Sequence, residues 1–402
     1  MDNIIKKLKT RGYIEQMTDE EGLINEVENK KITFYFGVDP TADSLHVGHL
    51  VIFTVARHMQ LAGHKPIILV GGATGTIGDP SAKQEMRKLL SQEELDKNIA
   101  ALKKQAQTLL DFTGENAAIL VDNATWTSHR TYIDFLRTIG RHFNVNQMLG
   151  AECYKARLKE GLTFFELGYM LMQANDFKHL FETENCILQL GGNDQWSNLI
   201  AGVDLIRKAN QEKAYTASVK LLTTKDGKKM GKTEKGALWL DKEKTTPYEF
   251  YQYFRNIGDE DIELVMRMLT LIETEEIERL LKEEKNPNKL KEILAFHMTE
   301  RIHGTEEAKK AEDLSISIFQ KGISKEGLPT IDAEVGEDIL NLSIKAGFVQ
   351  SRGQAKKLIE QGGITLNDEK IEISKVLEKE DLNDNEAILK KGKKNIVRVI
   401  VK

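Results

Sequence analysis

The stretch FYFGVDPTADSLHVGHL, residues 34 to 50, constrains the fold most. A run of aromatic and β-branched residues suits a strand. It stops at Gly-Val-Asp-Pro and gives way to a helical pattern whose first turn carries His46, Gly48 and His49. Helical residues three and four apart are neighbours, so the two imidazoles are expected on one face. A helix N-terminus presents unpaired N–H groups and a partial positive charge, which favour anions and phosphates especially. Thr41, His46 and His49 add side-chain donors there, and Gly48 lets a flat ring approach the backbone. An adenine nucleotide would use all of these groups. An HxxH pair also arises by chance or as half of a metal site, so this segment alone leaves the ligand open.

The rest of the first half alternates short apolar runs with helical stretches, the mark of βαβ units and a parallel sheet. Strands are predicted at Ile32 to Val38, Pro66 to Val70, Ala117 to Val121 and Cys186 to Leu190, with helices at His49 to Leu61 and Glu93 to Leu110. The glycine-rich GGATGTIGDP, residues 71 to 80, is neither GxGxxG nor GxxxxGK[ST], so the common dinucleotide and P-loop readings fail. From Pro247 to about Gln320 the pattern is helical and charged. KGISKEGLPTIDAEVGED then reads as a linker, being rich in Gly, Pro and acid. The remainder predicts a short helix, a glycine break, a basic second helix and a β-turn region.

Composition limits the classes. With 402 residues, 40% hydrophobic and 30% charged, the chain suits a soluble protein of about three domains. No apolar run approaches the roughly 20 residues that span a bilayer. The first residues, MDNIIKKLKTRGYI, read as an amphipathic helix rather than a signal peptide. Cys153 and Cys186 lack CxxC spacing, so neither a disulfide framework nor a zinc site is indicated, and a cytoplasmic location is expected. Net charge is −5, yet residues 341 to 402 hold 13 Lys+Arg against 9 Asp+Glu, leaving the excess acid in the rest of the chain. A basic tail on an acidic body fits a polyanion held by one module; a solvated lysine-rich face is the plainer reading of the same charge.

A second segment, KDGKKMGKTEKG at residues 225 to 236, holds Lys229 and Lys232 in a loop with glycines at 227 and 231. Such a loop can bend two ammonium groups onto one pyrophosphate, although a bare lysine cluster is usually a solvated turn. HVGH after the first strand, with KMGKT some 180 residues later, resembles the HIGH and KMSKS signatures of class I aminoacyl-tRNA synthetases. Two distant cationic segments are thus expected on one triphosphate.

FFELGYMLMQANDF places Tyr169, Gln173 and Asp176 on one helical stripe, with Leu167, Leu171, Ala174 and Phe177 on its apolar side. Such a polar stripe is most often a wet surface. Together with FYFGVDPTADSLHVGHL, LVGGATGTIGDPS, QLGGNDQWSN and GKKMGKT, however, it resembles the bacterial tyrosyl-tRNA synthetases from about residue 30 to 255. The likeness continues through the helical region to a basic C-terminal module similar to the α-L RNA-binding fold.

That resemblance implies an α/β fold: a Rossmann-like parallel-sheet catalytic domain over 1–222, with a dimer-interface segment near 130–160. An α-helical domain with the signature lysine loop over 223–322, a linker at 323–336 and a small α+β RNA-binding module over 337–402 would follow. Tyr35 and Asp176 would bond a substrate phenol, Asp79, Tyr169 and Gln173 its ammonium, and Gln195 would lie by its carboxylate, with Asn123 supporting the pocket. Gly37, Asp39, Gly48, His49, Gly192, Asp194 and Lys232 would contact ATP. Thr41, His46, His49, Lys83, Arg87, Lys229 and Lys232 would stabilise the leaving pyrophosphate.

The implied reaction joins L-tyrosine to ATP as tyrosyl-adenylate, then to the terminal ribose of tRNA(Tyr), with AMP released. Mg2+ would travel with ATP as substrate, and no protein-bound metal or organic cofactor is expected; a homodimer is. Gly231 and Thr233 depart from the serines of KMSKS, and Phe36 replaces a small polar residue beside the ribose. Of the rivals, a small-molecule nucleotidylyltransferase has no use for the basic tail, and a tryptophan-specific relative suits Tyr35 with Asp176 less well. A retired RNA-binding scaffold need not keep both histidines and both lysines.

Overall fold

A computed structural model describes residues 3–79, 91–225, 227, 230–233, 236–320, 328–392 and 395–401. The chain forms two compact units that do not follow chain order. The first comprises Met1–Lys232, Ala237–Lys244 and Ile257–Leu290; the second comprises Thr233–Gly236, Thr245–Asn256 and Lys291–Lys402.

The first unit is built on a six-stranded sheet of β1 (Ile14–Met17), β2 (Thr33–Val38), β3 (Lys65–Val70), β4 (Ile119–Asp122), β5 (Cys186–Gly192) and β6 (Tyr215–Val219), in the order β1-β6-β5-β2-β3-β4. All neighbours pair in parallel except β1, which runs antiparallel to β6. Phe34, Tyr35 and Phe36 are all buried, as a strand covered on both faces by crossover helices requires. The chain leaves β2 toward β3 and β4, then returns to place β5 on the other side of β2. Connections therefore diverge from the carboxyl ends of β2 and β5, and such a divergence opens a crevice.

Four of the strands were foreseen, each shifted by no more than two residues at either end. The edge pair β1 and β6 was not. YTASV carries polar Thr216 and Ser218 at buried positions, which masks a core strand. Both hydroxyls are bonded, Thr216 Oγ1 donating to the Gln189 carbonyl at 2.9 Å and Ser218 Oγ to Asn193 Oδ1 at 3.1 Å. The amphipathic N-terminus is the Ile4–Thr10 helix, with Ile4, Ile5 and Leu8 buried. Beside it the buried Arg11 guanidinium donates to the carbonyls of Arg267, Thr270 and Ile272, closing the end of the Ile262–Leu269 helix.

In the second unit the Pro247–Arg255 helix starts with a reciprocal Thr246/Glu249 cap and packs on the Thr305–Gln320 helix, where Gln252 bonds Ser315 at 2.9 Å. A five-stranded sheet with the Ile339–Lys345 and Arg352–Glu360 helices forms the C-terminal part around Ile339, Leu342, Ala355, Leu377, Leu389 and Val399. The predicted β-turn is there: Asn367 and Asp368 both have positive φ between Ile364–Leu366 and Glu369–Lys370. One correction concerns the linker expected at 323–336. Thr330–Ala333 within it is a strand, paired in parallel with Asn395–Val401, and Ala333 is buried in that core. Gly, Pro and acid on either side hid a four-residue strand. Among the described residues no helix is long and apolar enough to cross a membrane.

Candidate active site

A cavity of about 310 Å³ opens at the carboxyl ends of β2 and β5. Tyr35, Gly37, Asp39, Thr41, Gly48, His49, Asp79, Tyr169, Gln173, Asp176, Gly192, Asp194 and Gln195, all singled out from the sequence, line it. His46 and Asn123 do not; each acts on a residue that does.

At one end stand Tyr35 and Asp176. Tyr35 projects from the middle of β2, its ring 5.3 Å from that of Phe177, and its hydroxyl is buried with no partner. Burial, then the nearby Asp176, pushes its pKa upward, so the phenol keeps its proton. Asp176 lies on the Phe164–Glu184 helix, which begins with a reciprocal Thr163/Glu166 cap. The polar stripe of that helix faces inward: Tyr169 and Asp176 are 6% and 2% exposed. Asp176 Oδ2 accepts from Asn123 Nδ2 at 2.9 Å, and Oδ1 from Trp126 Nε1 at 2.8 Å. Burial raises its pKa to about 7 against the opposing effect of those two bonds.

Around the middle of the cavity are Asp39 and Asp79. Tyr169 donates its hydroxyl to Asp39 Oδ2 at 3.0 Å, Thr74 Oγ1 to Asp39 Oδ1 at 3.3 Å, and Gln195 Nε2 to Asp79 Oδ2. With Asp176 and Asp194, four carboxylates line one space, and such a space favours a bound cation. The Oε1 atoms of Gln173 and Gln189 are buried without a partner, like the Tyr35 hydroxyl. Each such group costs about 1–3 kcal/mol while unsatisfied. All three surround the cavity.

The histidines correct one expectation. His46 is not on the helix but caps it: Gly48 N–H donates to His46 Nδ1 and His46 N–H to His49 Nδ1, both at 3.1 Å, ahead of the Val47–Leu61 helix. The imidazoles stack with centroids 3.9 Å apart. Burial and the neighbouring His46 push the His49 pKa down to about 3, so His49 is neutral rather than the cation expected. With Nδ1 accepting, its proton sits on Nε2, which makes it a neutral donor.

The lysine-bearing segment comes to this same turn. Val47 N–H donates to the Leu238 carbonyl at 3.0 Å and Leu240 N–H to that of Leu45 at 2.9 Å, so residues 238–240 run antiparallel to 45–47. Gly231, at φ +84°, lies so close that a Cβ there would stand 3.2 Å from Val47 Cβ and 3.7 Å from the Gly48 nitrogen. Lys83, Arg87 and Lys229 lie outside the described residues, as does the side chain of Lys232.

Phe36 is also corrected. It is not among the residues lining the cavity; its ring packs edge-on against Phe53 at 5.0 Å on the other face of the sheet from Tyr35, because successive strand residues alternate. The sequence reading missed Thr74, Trp126, Gln189 and Lys220. VDNATW and QLGGNDQW were in view, but only a fully buried Gln189 in an otherwise apolar strand carried a signal. Among the described residues no group of three or more His, Cys, Asp or Glu is placed to hold a metal.

The comparisons agree with this architecture. The family model for tRNA synthetases class I (W and Y) matches residues 27–320, and that for the tyrosine–tRNA ligase SYY-like C-terminal domain matches 319–399. The chain is 49% identical to the tyrosine–tRNA ligase of Caldanaerobacter subterraneus subsp. tengcongensis, with all of both chains covered. It is also 49% identical to that of Acetivibrio thermocellus, with 99% of each covered. A C-terminally truncated mitochondrial tyrosyl-tRNA synthetase from Aspergillus nidulans superimposes with a TM-score of 0.73 at 28% identity, covering 79% of this chain and 95% of that one. A fold shared with tryptophan enzymes leaves the amino acid open, and full-length identity near one half closes that question: the chain belongs to the tyrosyl-tRNA synthetases, within class I.

Proposed function

We propose that this tyrosine–tRNA ligase binds tyrosine with its phenol between Tyr35 and Asp176 and its ammonium among Asp79, Tyr169 and Gln173. One observation carries the reading: a buried, unpartnered tyrosine hydroxyl and a buried carboxylate share the end of a cavity lined by three further carboxylates. A phenol hydroxyl can donate to ionised Asp176 and accept from Tyr35. Phenylalanine would leave both groups unsatisfied, a costly outcome in a buried site. Gln195 lies by the substrate carboxylate.

In the first step a carboxylate oxygen of tyrosine forms a bond to the α-phosphorus of ATP as the bond from that phosphorus to the β-phosphate bridging oxygen breaks. The nucleophile is already anionic, so no protein base is needed. Charge accumulates on the departing pyrophosphate, and fixed donors stabilise it best. Thr41, His46, neutral His49, Lys83, Arg87, Lys229 and Lys232 are assigned that task, with Mg2+ arriving as part of the ATP substrate. Gly37, Asp39, Gly48, Gly192 and Asp194 hold the nucleotide. In the second step the 2′-hydroxyl of the terminal tRNA ribose attacks the activated carbonyl, loses its proton, and AMP leaves.

The basic helix around Lys356 and Lys357 supports a tRNA-contacting role for the C-terminal part. Self-association is supported by Tyr132, Ile133 and Val145 in the segment near 130–160 and by Phe164 just beyond it, each between 56% and 71% accessible. Pyrophosphate exchange into ATP across the twenty amino acids tests the reading: tyrosine alone is the expected substrate, and comparable exchange with phenylalanine or tryptophan would overturn it.

A further inference from the structure

Gln195 is assigned to the substrate's carboxylate, yet an amide has two ends of opposite character and can present either. Something must choose. Gln195 caps the Trp196–Asn210 helix without a capping bond of its own. Its Oε1 accepts from Asn198 Nδ2 at 3.1 Å, and its Nε2 donates to Asp79 Oδ2. Asn198 is 2% exposed and does not line the cavity. Behind it, Cys153 Sγ lies 4.0 Å from Asn198 Oδ1. Cys153 is itself buried, and burial pushes its pKa up to about 11, so the thiol is protonated and can donate to that oxygen.

These contacts run in one direction: thiol to Asn198 oxygen, Asn198 nitrogen to Gln195 oxygen, Gln195 nitrogen to the Asp79 carboxylate. Every amide in the line is thereby fixed end for end. We infer that Asn198 is a positioning residue, which turns the N–H end of Gln195 toward the amino-acid head group and steadies Asp79 through it. The inference deepens the reading of Gln195 and Asp79 given above and rests on it. Asn198 is not among the residues lining the cavity, and the effect assigned to it here is the one that passes through Gln195.

The test is a double-mutant cycle on the full-length chain, read by pyrophosphate exchange with separate KM values for tyrosine and ATP, and by melting temperature. Asn198→Leu keeps the volume and removes the donor. It is expected to raise the tyrosine KM about tenfold, the effect of losing one hydrogen bond's worth of orientation, with the ATP KM within about twofold of its starting value. In a Gln195→Ala background the same change is expected to add nothing, because its route is gone. Asn198→Asp, of the same size, offers an acceptor where a donor stood and invites Gln195 to turn round. It is expected to be at least as harmful, and it provides the same comparison should Asn198→Leu fail to fold. Equal effects in both backgrounds, or a tyrosine KM unmoved by both Asn198 variants while Gln195→Ala raises it, would overturn the inference alone. A Gln195→Ala chain with an unchanged tyrosine KM would overturn the reading of Gln195 and the inference with it.

Discussion

Trp126 and Asp176 stand fifty residues apart in the chain, and the indole Nε1 donates to the carboxylate at 2.8 Å. The indole is held on its face as well, stacked on His179 with centroids 4.3 Å apart. A tryptophan therefore fixes the carboxylate on which the proposed recognition of a phenol rests. Trp126→Phe keeps the ring and removes the donor. It is expected to narrow the tyrosine-over-phenylalanine ratio of kcat/KM by about tenfold, as loss of one bond to a charged group implies. Exchange assays with both amino acids measure it, and an unaltered ratio would remove Trp126 from the recognition machinery.

Asp176 carries a pH dependence of definite sign. Its folded-state pKa is raised to about 7 from 3.8, so between those values the folded chain holds a proton that the unfolded chain has released. This group's contribution to stability therefore falls as pH rises from about 4 to about 7, and the buried anion is left at a cost above that. A phenol donating to the anion offsets the cost. Saturating tyrosine is expected to raise the melting temperature more at pH 8 than at pH 5.5, and the tyrosine KM is expected to climb as pH falls below 7. Calorimetry at the two pH values decides: equal shifts would mean that the carboxylate does not meet the phenol in its ionised form.

Gly231 has the left-handed backbone and the close approach to Val47 that a side chain would disturb. Alanine in that conformation costs about 1–2 kcal/mol before any contact is counted. Gly231→Ala is expected to lower kcat for adenylate formation about tenfold with little change in the tyrosine KM, because the lysine-bearing segment would be shifted while the phenol pocket stays intact. Steady-state exchange kinetics separate the two parameters, and a rise confined to the tyrosine KM would contradict this account.

Exposed Lys356 and Lys357 lie on the Arg352–Glu360 helix. Reversing both to glutamate is expected to weaken tRNA charging several-fold, more at low salt than at high, and to leave pyrophosphate exchange unchanged. Point changes are the cleaner probe than truncation. Tyr248 and Leu314 of the helical part bury against Ile388 and Ile396 of the C-terminal sheet, so deletion would strip an apolar cluster. Equal loss of both activities would assign the two lysines a structural role.

Much of this protein is written locally. Strand-like runs ending in glycine depend on near neighbours, so the parallel sheet could be read off in order, while the cavity residues followed from the likeness of HVGH, KMGKT and the motifs around them to a known family. Polar YTASV defeated the reading because its hydroxyls find partners on the neighbouring strand and on the turn that follows it.

What the sequence by itself determined is the α/β framework, since periodicity and turn chemistry act over a few residues, and, through its likeness to a known family, the set of candidate reactive groups. The tertiary structure alone decided their states: that His49 is neutral, that Asp176 titrates near 7 between Asn123 and Trp126, and that Gly231 reaches Val47. Burial and partners distant in the chain set proton affinity and amide orientation, and neither exists until the chain has closed on itself.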